Sequence, residues 1–146
     1  MNKRKIILKS LILVIWMSII YFLSNQNGNE SSNLSNGLLY NIFKTFHLSD
    51  TLVNDFLLNL IRKLAHFTEY LILGILVLNL LKEFNIKNKI FIGALLCLLY
   101  AASDEIHQLF INDRSASILD VLIDFLGSMT GLFLYNFKIK IKTKVS

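Results

Sequence analysis

The sequence is short of charge. Asp, Glu, Lys and Arg make up only 17% of its 146 residues, below the usual quarter, while 54% are hydrophobic. A water-soluble domain of this size cannot hide so much apolar side chain, so the composition points to lipid as the solvent. A single cysteine, Cys97, excludes an internal disulfide. It stands in the middle of an apolar run and reads as packing filler. There is no C-x-x-C, Walker loop, G-x-G-x-x-G or G-x-S-x-G, so the motifs of dithiol redox, nucleotide, dinucleotide and serine-hydrolase chemistry are missing. No internal repeat is visible. Proline is absent too, which by itself excludes nothing. The net charge is +5. The basic residues sit in short clusters between apolar segments, the pattern of membrane-protein loops rather than of a nucleic-acid face, so no nucleic-acid partner is expected.

What is present in abundance is long apolar runs. Four are long enough to cross a bilayer core of about 30 Å, which takes about 20 helical residues. They are residues 6–24, 64–81, 90–110 and 118–137. The expected architecture is an all-α, polytopic membrane protein of one domain, 1–146, with a connection over 25–63 and a basic tail over 138–146. The first run follows Lys3, Arg4 and Lys5 as a signal peptide would. Its apolar stretch is long for one, and "SNQNGNE" after it offers no cleavage site of the A-x-A type, so it reads as a retained helix.

Charge sets the expected orientation. With the N-terminus in the cytoplasm, the fifteen Lys and Arg split eleven inside to four outside, the four being Lys44, Arg62, Lys63 and Arg114. The positive-inside rule then places both termini in the cytoplasm of a multi-pass cell-membrane protein and residues 25–63 outside. Within that connection Leu34, Leu38, Leu39, Ile42, Phe43 and Phe46 recur at helical spacing, with Ser31 or Ser32 as a cap. A second amphipathic run comprises Leu52, Val53, Phe56, Leu57, Leu60 and Ile61. Such outer helices lie in the membrane interface or over the bundle.

The polar residues inside the runs converge. Residues 90–103 carry no charge; then "SDEIHQ" brings Asp104, Glu105, His107 and Gln108 together. At about 1.5 Å per residue, these groups, His66 and Glu69 of the second run, and Asp120 and Asp124 of the fourth all fall within about 10 Å of the outer end. Their faces agree as well. Arg62, His66 and Glu69 share one helical stripe, Tyr100, Asp104, His107 and Gln108 a second, and Asp120, Asp124, Gly127 and Gly131 a third. Gly127 and Gly131 form a G-x-x-x-G at which a neighbouring backbone can come close. Acids in such a setting look into the bundle, because a charge facing lipid near the centre costs about 2.5–3.5 kcal/mol or more. The competing structural interpretation is an ion-pair network in which Arg114 holds Asp104 or Asp120, with Lys63 an ordinary flanking cation.

These stretches, "RKLAHFTEYLILG" (62–74) and "SDEIHQLFINDRSASILDVLIDFLGSMTG" (103–131), resemble the VanZ-like family of bacterial membrane proteins, named for a teicoplanin-resistance accessory protein. "LSNQ" (23–26) is a weaker match to a Ser-Gln of that family. Carried over, the resemblance marks Lys63, His66, Glu69, Tyr70, Asp104, Glu105, Gln108, Arg114, Asp120 and Gly127. The chain departs from the family pattern twice. Asn112-Asp113 stands where Pro-Gly is frequent before the Arg, implying a looser loop, and Asp124 stands where Asn is common, adding a charge. The resemblance links the chain to glycopeptide resistance but supplies no reaction.

Three functions remain open, the glycopeptide or cell-wall ligand being what the resemblance implies. An enzyme acting on an amphiphile at the outer leaflet would use His66, Glu69, Asp104, Glu105, His107 and Asp120 for catalysis, with His66, Asp104 and His107 exchanging protons. Arg62, Lys63, Tyr70, Gln108, Arg114 and Asp124 would bind the substrate, the cations holding a phosphate or carboxylate. A binding or shielding module would engage a lipoglycopeptide or a lipid-linked cell-wall precursor without chemistry. A small transporter or flippase would use the acids as a proton relay. The expected partners are membrane lipid and one of those amphiphiles. The pairs His66/Glu69 and Asp104/His107 have the i, i+3 spacing seen in di-metal bundles, but flanking Arg residues compete for the acids, so no metal ligand is assigned and the cofactor stays open.

Overall fold

The computed structural model describes residues 2–26, 55–112, 114 and 116–145, together with positions 33, 37, 40, 41, 44 and 45. Four helices account for most of them: α1 (Lys3–Ser24), α2 (Asp55–Leu81), α3 (Lys89–Gln108) and α4 (Ile118–Val145). All four are long and apolar enough to cross a membrane. The first amphipathic run (residues 34–46), its caps Ser31 and Ser32, and Leu52 and Val53 of the second run fall on or among residues outside those described.

Each helix begins or ends for a local reason. Asn2 caps α1, its side chain accepting from the Lys5 amide at 3.4 Å. At the far end the Asn25 amide returns to the Tyr21 carbonyl at 2.9 Å. The link from α2 to α3 is short and closes on Asn88, whose φ of 57° is the positive value that asparagine tolerates better than most side chains. The Asp120 and Val121 amides both donate to the Ser117 carbonyl, which opens α4.

Two helices run further than the apolar stretches alone indicate. The second starts at Asp55 rather than near residue 64, so Phe56, Leu57, Leu60 and Ile61 of the outer amphipathic run are its first turns. The fourth continues to Val145 through the basic tail rather than stopping near residue 137. At about 1.5 Å per residue both are about 40 Å long, more than a hydrocarbon core of about 30 Å. The third ends at Gln108, and Leu109 and Phe110 turn out of it.

Among the described residues α2 packs against all three other helices, most extensively against α4. Glycine makes that seam. A Cβ placed on Gly127 would overlap the Phe67 carbonyl, one on Gly131 the Leu71 carbonyl, and one on Gly74 the Ser128 carbonyl. The expected G-x-x-x-G approach is therefore met by a glycine on the opposite helix, which stripe reading of α4 did not reveal. Ile20, Tyr70, Leu73, Val77, Leu81, Cys97 and Ala101 form the core. Large apolar side chains remain outside it all round, Phe91 at 70% exposure and Phe110 at 82% among them, as befits a bundle solvated by lipid.

Polar ties fix the helices axially. The Trp16 indole donates to the Glu69 carbonyl at 3.0 Å, and the Tyr100 hydroxyl to the Met17 carbonyl at 2.7 Å. At the opposite end of the bundle Lys9 donates to Glu83 at 2.5 Å and to the Asn79 carbonyl at 3.1 Å. Lys9 thus reaches the end of its helix, as a snorkelling lysine does, and finds an acid there.

Candidate functional site

Because the helices alternate in direction, one end of the bundle gathers the last turn of α1, the first half of α2, the last turns of α3 and the first turns of α4. Ser24, His66, Glu69, Tyr70, Asp104, Glu105, Gln108, Asp120 and Asp124 occupy those turns, with Arg114 and Ser117 on the link between α3 and α4. Asp104, Glu105, Gln108 and Asp124 are buried, Asp124 completely.

The contacts divide into a support and an open centre. In the support, buried Gln108 donates to the Ser24 hydroxyl at 2.9 Å and accepts from Arg114 Nη1 at 3.3 Å, tying α1, α3 and the link together. Glu105 Oε2 accepts from the Ser117 amide at 2.8 Å and so anchors the start of α4 to the end of α3. Lys63 pairs with Asp120 at 3.7 Å across the α2–α4 seam. In the centre, His66 Nδ1 lies 3.5 Å from Asp124 Oδ1, and one ligating atom each from His66, Asp104 and Asp124 lie within 4.8 Å of one another. Glu69 is within electrostatic reach of all three.

That centre is unsatisfied. Among the described residues, seven buried side-chain atoms have no hydrogen-bond partner: His66 Nδ1, Tyr70 OH, Asp104 Oδ2, Glu105 Oε1, Arg114 Nε and both oxygens of Asp124. Every one belongs to this end of the bundle. A buried polar atom left unpaired costs about 1–3 kcal/mol, a cost that a bound polar group or water at this end would relieve. His66 also lines a cavity of about 160 Å³ with Asn59, Arg62, Lys63, Ser117 and Asp120. The imidazole is shared between that basic-rimmed cavity and the buried acids. A larger cavity, about 580 Å³, opens at the opposite end against Leu78, Phe91 and Met129 and holds no acid.

The structure gathers most of the candidate residues and sends some elsewhere. His66, Glu69, Asp104 and Asp124 meet. Arg62, Lys63 and Asp120 stand at the cavity, and Gly127 and Gly131 lie below on the α2–α4 seam. His107 turns to α1, stacking on Tyr21 with centroids 4.7 Å apart and placing Nε2 3.2 Å from Asn25 Oδ1. The Tyr70 ring sits 6.1 Å from that of Tyr100, its hydroxyl unpartnered. Arg114 spends Nη1 on Gln108, and no ion pair with Asp104 or Asp120 is among the described contacts. Burial and the neighbouring Arg62 pull its pKa below the ordinary value while Asp104, Glu105 and Glu69 oppose them; a guanidinium stays charged throughout.

Ser117 and Asn59 were not legible as site residues from stripes and depth. Ser117 did carry a signal, since "SILD" (117–120) has the Ser-x-x-Asp form of a helix start. Asn59 carried none beyond its place on the turn before Arg62 and Lys63.

No curated protein and no solved structure matches the chain. A family model, VanZ/LLP1, matches residues 10–139, a range that takes in every residue of the site. With four membrane-length apolar helices and that match over most of its length, this multi-pass membrane protein belongs to the VanZ/LLP1 family.

Proposed function

We propose that the chain sits in a bacterial cell membrane with its polar end on the extracytoplasmic side, and there binds the head of an amphiphile, a lipid-linked cell-wall precursor or a lipoglycopeptide of the teicoplanin type. The observation that carries this reading is the group of seven buried polar atoms without a hydrogen-bond partner among the described residues, one of them on His66, which lines a cavity rimmed by Arg62 and Lys63. Donors and acceptors already desolvated and held by a rigid support gain most from an incoming polar group. The rim cations suit a phosphate or carboxylate, and the acids behind them suit ammonium or hydroxyl groups. The eleven-to-four split of basic residues supports the orientation.

A hydrolytic role is the second reading, favoured by one contact. His66 faces a fully buried carboxylate at 3.5 Å on one side and lines the cavity on the other, and a general base needs such a carboxylate beside it and an open face toward substrate. A proton-relay transporter finds less support. Among the described residues the buried acids of the spans lie at one end, and Lys9 and Glu83 at the other pair with each other.

Teicoplanin carries an acyl chain and vancomycin does not. A small membrane protein reaches a ligand anchored beside it and has little with which to reach a soluble one. Expression in a susceptible Gram-positive host should raise resistance to teicoplanin more than to vancomycin, and Asp104→Asn should abolish the effect. Equal protection against both drugs would point to a general envelope effect, and protection against neither would refute the reading.

A further inference from the structure

We infer that His66, Asp104 and Asp124 form a binding site for a divalent transition-metal ion between α2, α3 and α4. Their ligating atoms lie within 4.8 Å of one another, close enough to share one ion. The spacing of the best-defined pair agrees. At 3.5 Å, His66 Nδ1 and Asp124 Oδ1 are too far apart for a charge-assisted hydrogen bond, which runs about 2.7–2.9 Å. They are close to the edge of a tetrahedron, about 3.3 Å when each ligand stands about 2.0 Å from the ion.

Burial supplies the second, independent observation. Asp124 is 0% and Asp104 4% exposed, and among the described residues three of their four carboxylate oxygens, like His66 Nδ1, are buried without a hydrogen-bond partner. Of the nearby cations, Lys63 pairs with Asp120 and Arg114 gives Nη1 to Gln108, and no ion pair of a Lys or Arg with Asp104 or Asp124 is among the described contacts. Two buried carboxylates and a neutral imidazole balance a doubly charged ion, which removes the cost of leaving like charges together in a low-dielectric site. One nitrogen and two oxygens are a donor set for zinc or manganese rather than for a soft copper site or an all-oxygen calcium site. Glu69 is within electrostatic reach of all three but is not one of the grouped ligands. The three ligands come from three helices, so an ion here would also join the helices that the glycine seam and Gln108 bring together. The Asp104/His107 pairing suggested by sequence spacing is not used, because His107 belongs to the Tyr21 stack.

The site is the one proposed above to bind an amphiphile, but the inference does not depend on that ligand. Metal content is read on purified protein and drug protection on cells, so either can fail alone. The full chain, purified in detergent and stripped with a chelator, is dialysed against Zn²⁺ and washed, and the bound metal is measured by mass spectrometry. One ion per chain is expected, falling more than tenfold in Asp104→Asn and Asp124→Asn and unchanged in Glu83→Gln, which alters an acid at the other end of the bundle. Co²⁺ in place of Zn²⁺ should give a visible absorption band of a nitrogen and oxygen site, and Zn²⁺ should raise the melting temperature of the unaltered chain but not of Asp104→Asn. Should one variant fail to fold, the other variant and the cobalt spectrum of the unaltered chain decide. No retained ion, or equal retention by all the chains, overturns the inference.

Discussion

His66 and Asp124 face each other at 3.5 Å across the α2–α4 seam, the imidazole at the edge of a cavity and the carboxylate wholly inside. The seam permits this meeting because Gly127, one turn past Asp124, lets α4 lie against the Phe67 carbonyl next to His66. Backbone packing and site geometry are therefore one problem, and the predictions separate them.

Asp124 should matter for function more than for the fold. Its carboxylate is fully buried and lies near Asp104, so a neutral amide there removes a desolvation cost and a repulsion. In chelator-washed protein Asp124→Asn should melt at the same temperature as the unaltered chain or higher, while losing protection in cells. A site residue that costs stability is the usual signature of function. A large drop in melting temperature would instead make Asp124 a structural member.

The glycine seam should show the opposite pattern. Alanine at Gly131 puts a Cβ into the Leu71 carbonyl, and at Gly127 into the Phe67 carbonyl; neither backbone can yield as a side-chain tip would. Each substitution should destabilise by about 1–3 kcal/mol, the usual cost of overpacking. Gly37→Ala, whose added Cβ meets nothing within 4 Å among the described residues, should be neutral or slightly stabilising. Thermal unfolding in detergent measures all three, and a neutral Gly131→Ala would contradict the packing described.

The Lys9–Glu83 tie predicts an acid sensitivity. The Lys9 ammonium holds the Glu83 carboxyl below the ordinary carboxylate range. A depressed pKa means the tie contributes fully above the unfolded value, about 4.3, and is lost as pH falls through the folded one. The melting temperature should therefore decline on acidification below that value, and Glu83→Gln should lower it at neutral pH and flatten this part of the decline. Identical pH profiles for both chains would show the tie to be idle.

Orientation is tested by cysteine labelling in a Cys97→Ala background. A cysteine at Ser115 should react with an impermeant thiol reagent on intact cells, and one at Ser146 should not. The reverse pattern would put the polar end in the cytoplasm.

The four spans were legible because lipid imposes one plain demand, about twenty apolar residues in a row. The extents of α2 and α4 were less so. Hydrogen bonding carries a helix on past the apolar stretch, and the polar first turns of α2 and the lysines after Phe137 look like loop and tail in composition. The gathering of the polar residues at one end was legible from depth, since alternating helices bring equal depths together. Partners were harder. Around α3, His107 lies about 60° to one side of Asp104 and Gln108 about 40° to the other. One stripe covers all three, yet Asp104 faces the centre, Gln108 joins Ser24 to Arg114, and His107 leaves for Tyr21. Glu105, about 100° round from Asp104 and a catalytic candidate by sequence, is buried holding the Ser117 amide. Single-helix periodicity does not contain the azimuth of neighbouring helices.

The central claim is that the buried acids serve a ligand rather than the fold. Teicoplanin protection and membrane protein level, measured side by side for the unaltered chain, Asp104→Asn and Asp124→Asn, test it most directly. The account predicts that the unaltered chain protects and that both variants lose protection while staying in the membrane at unaltered amounts. Protection retained by the variants, protein lost from the membrane in step with protection, or no protection by the unaltered chain would contradict it.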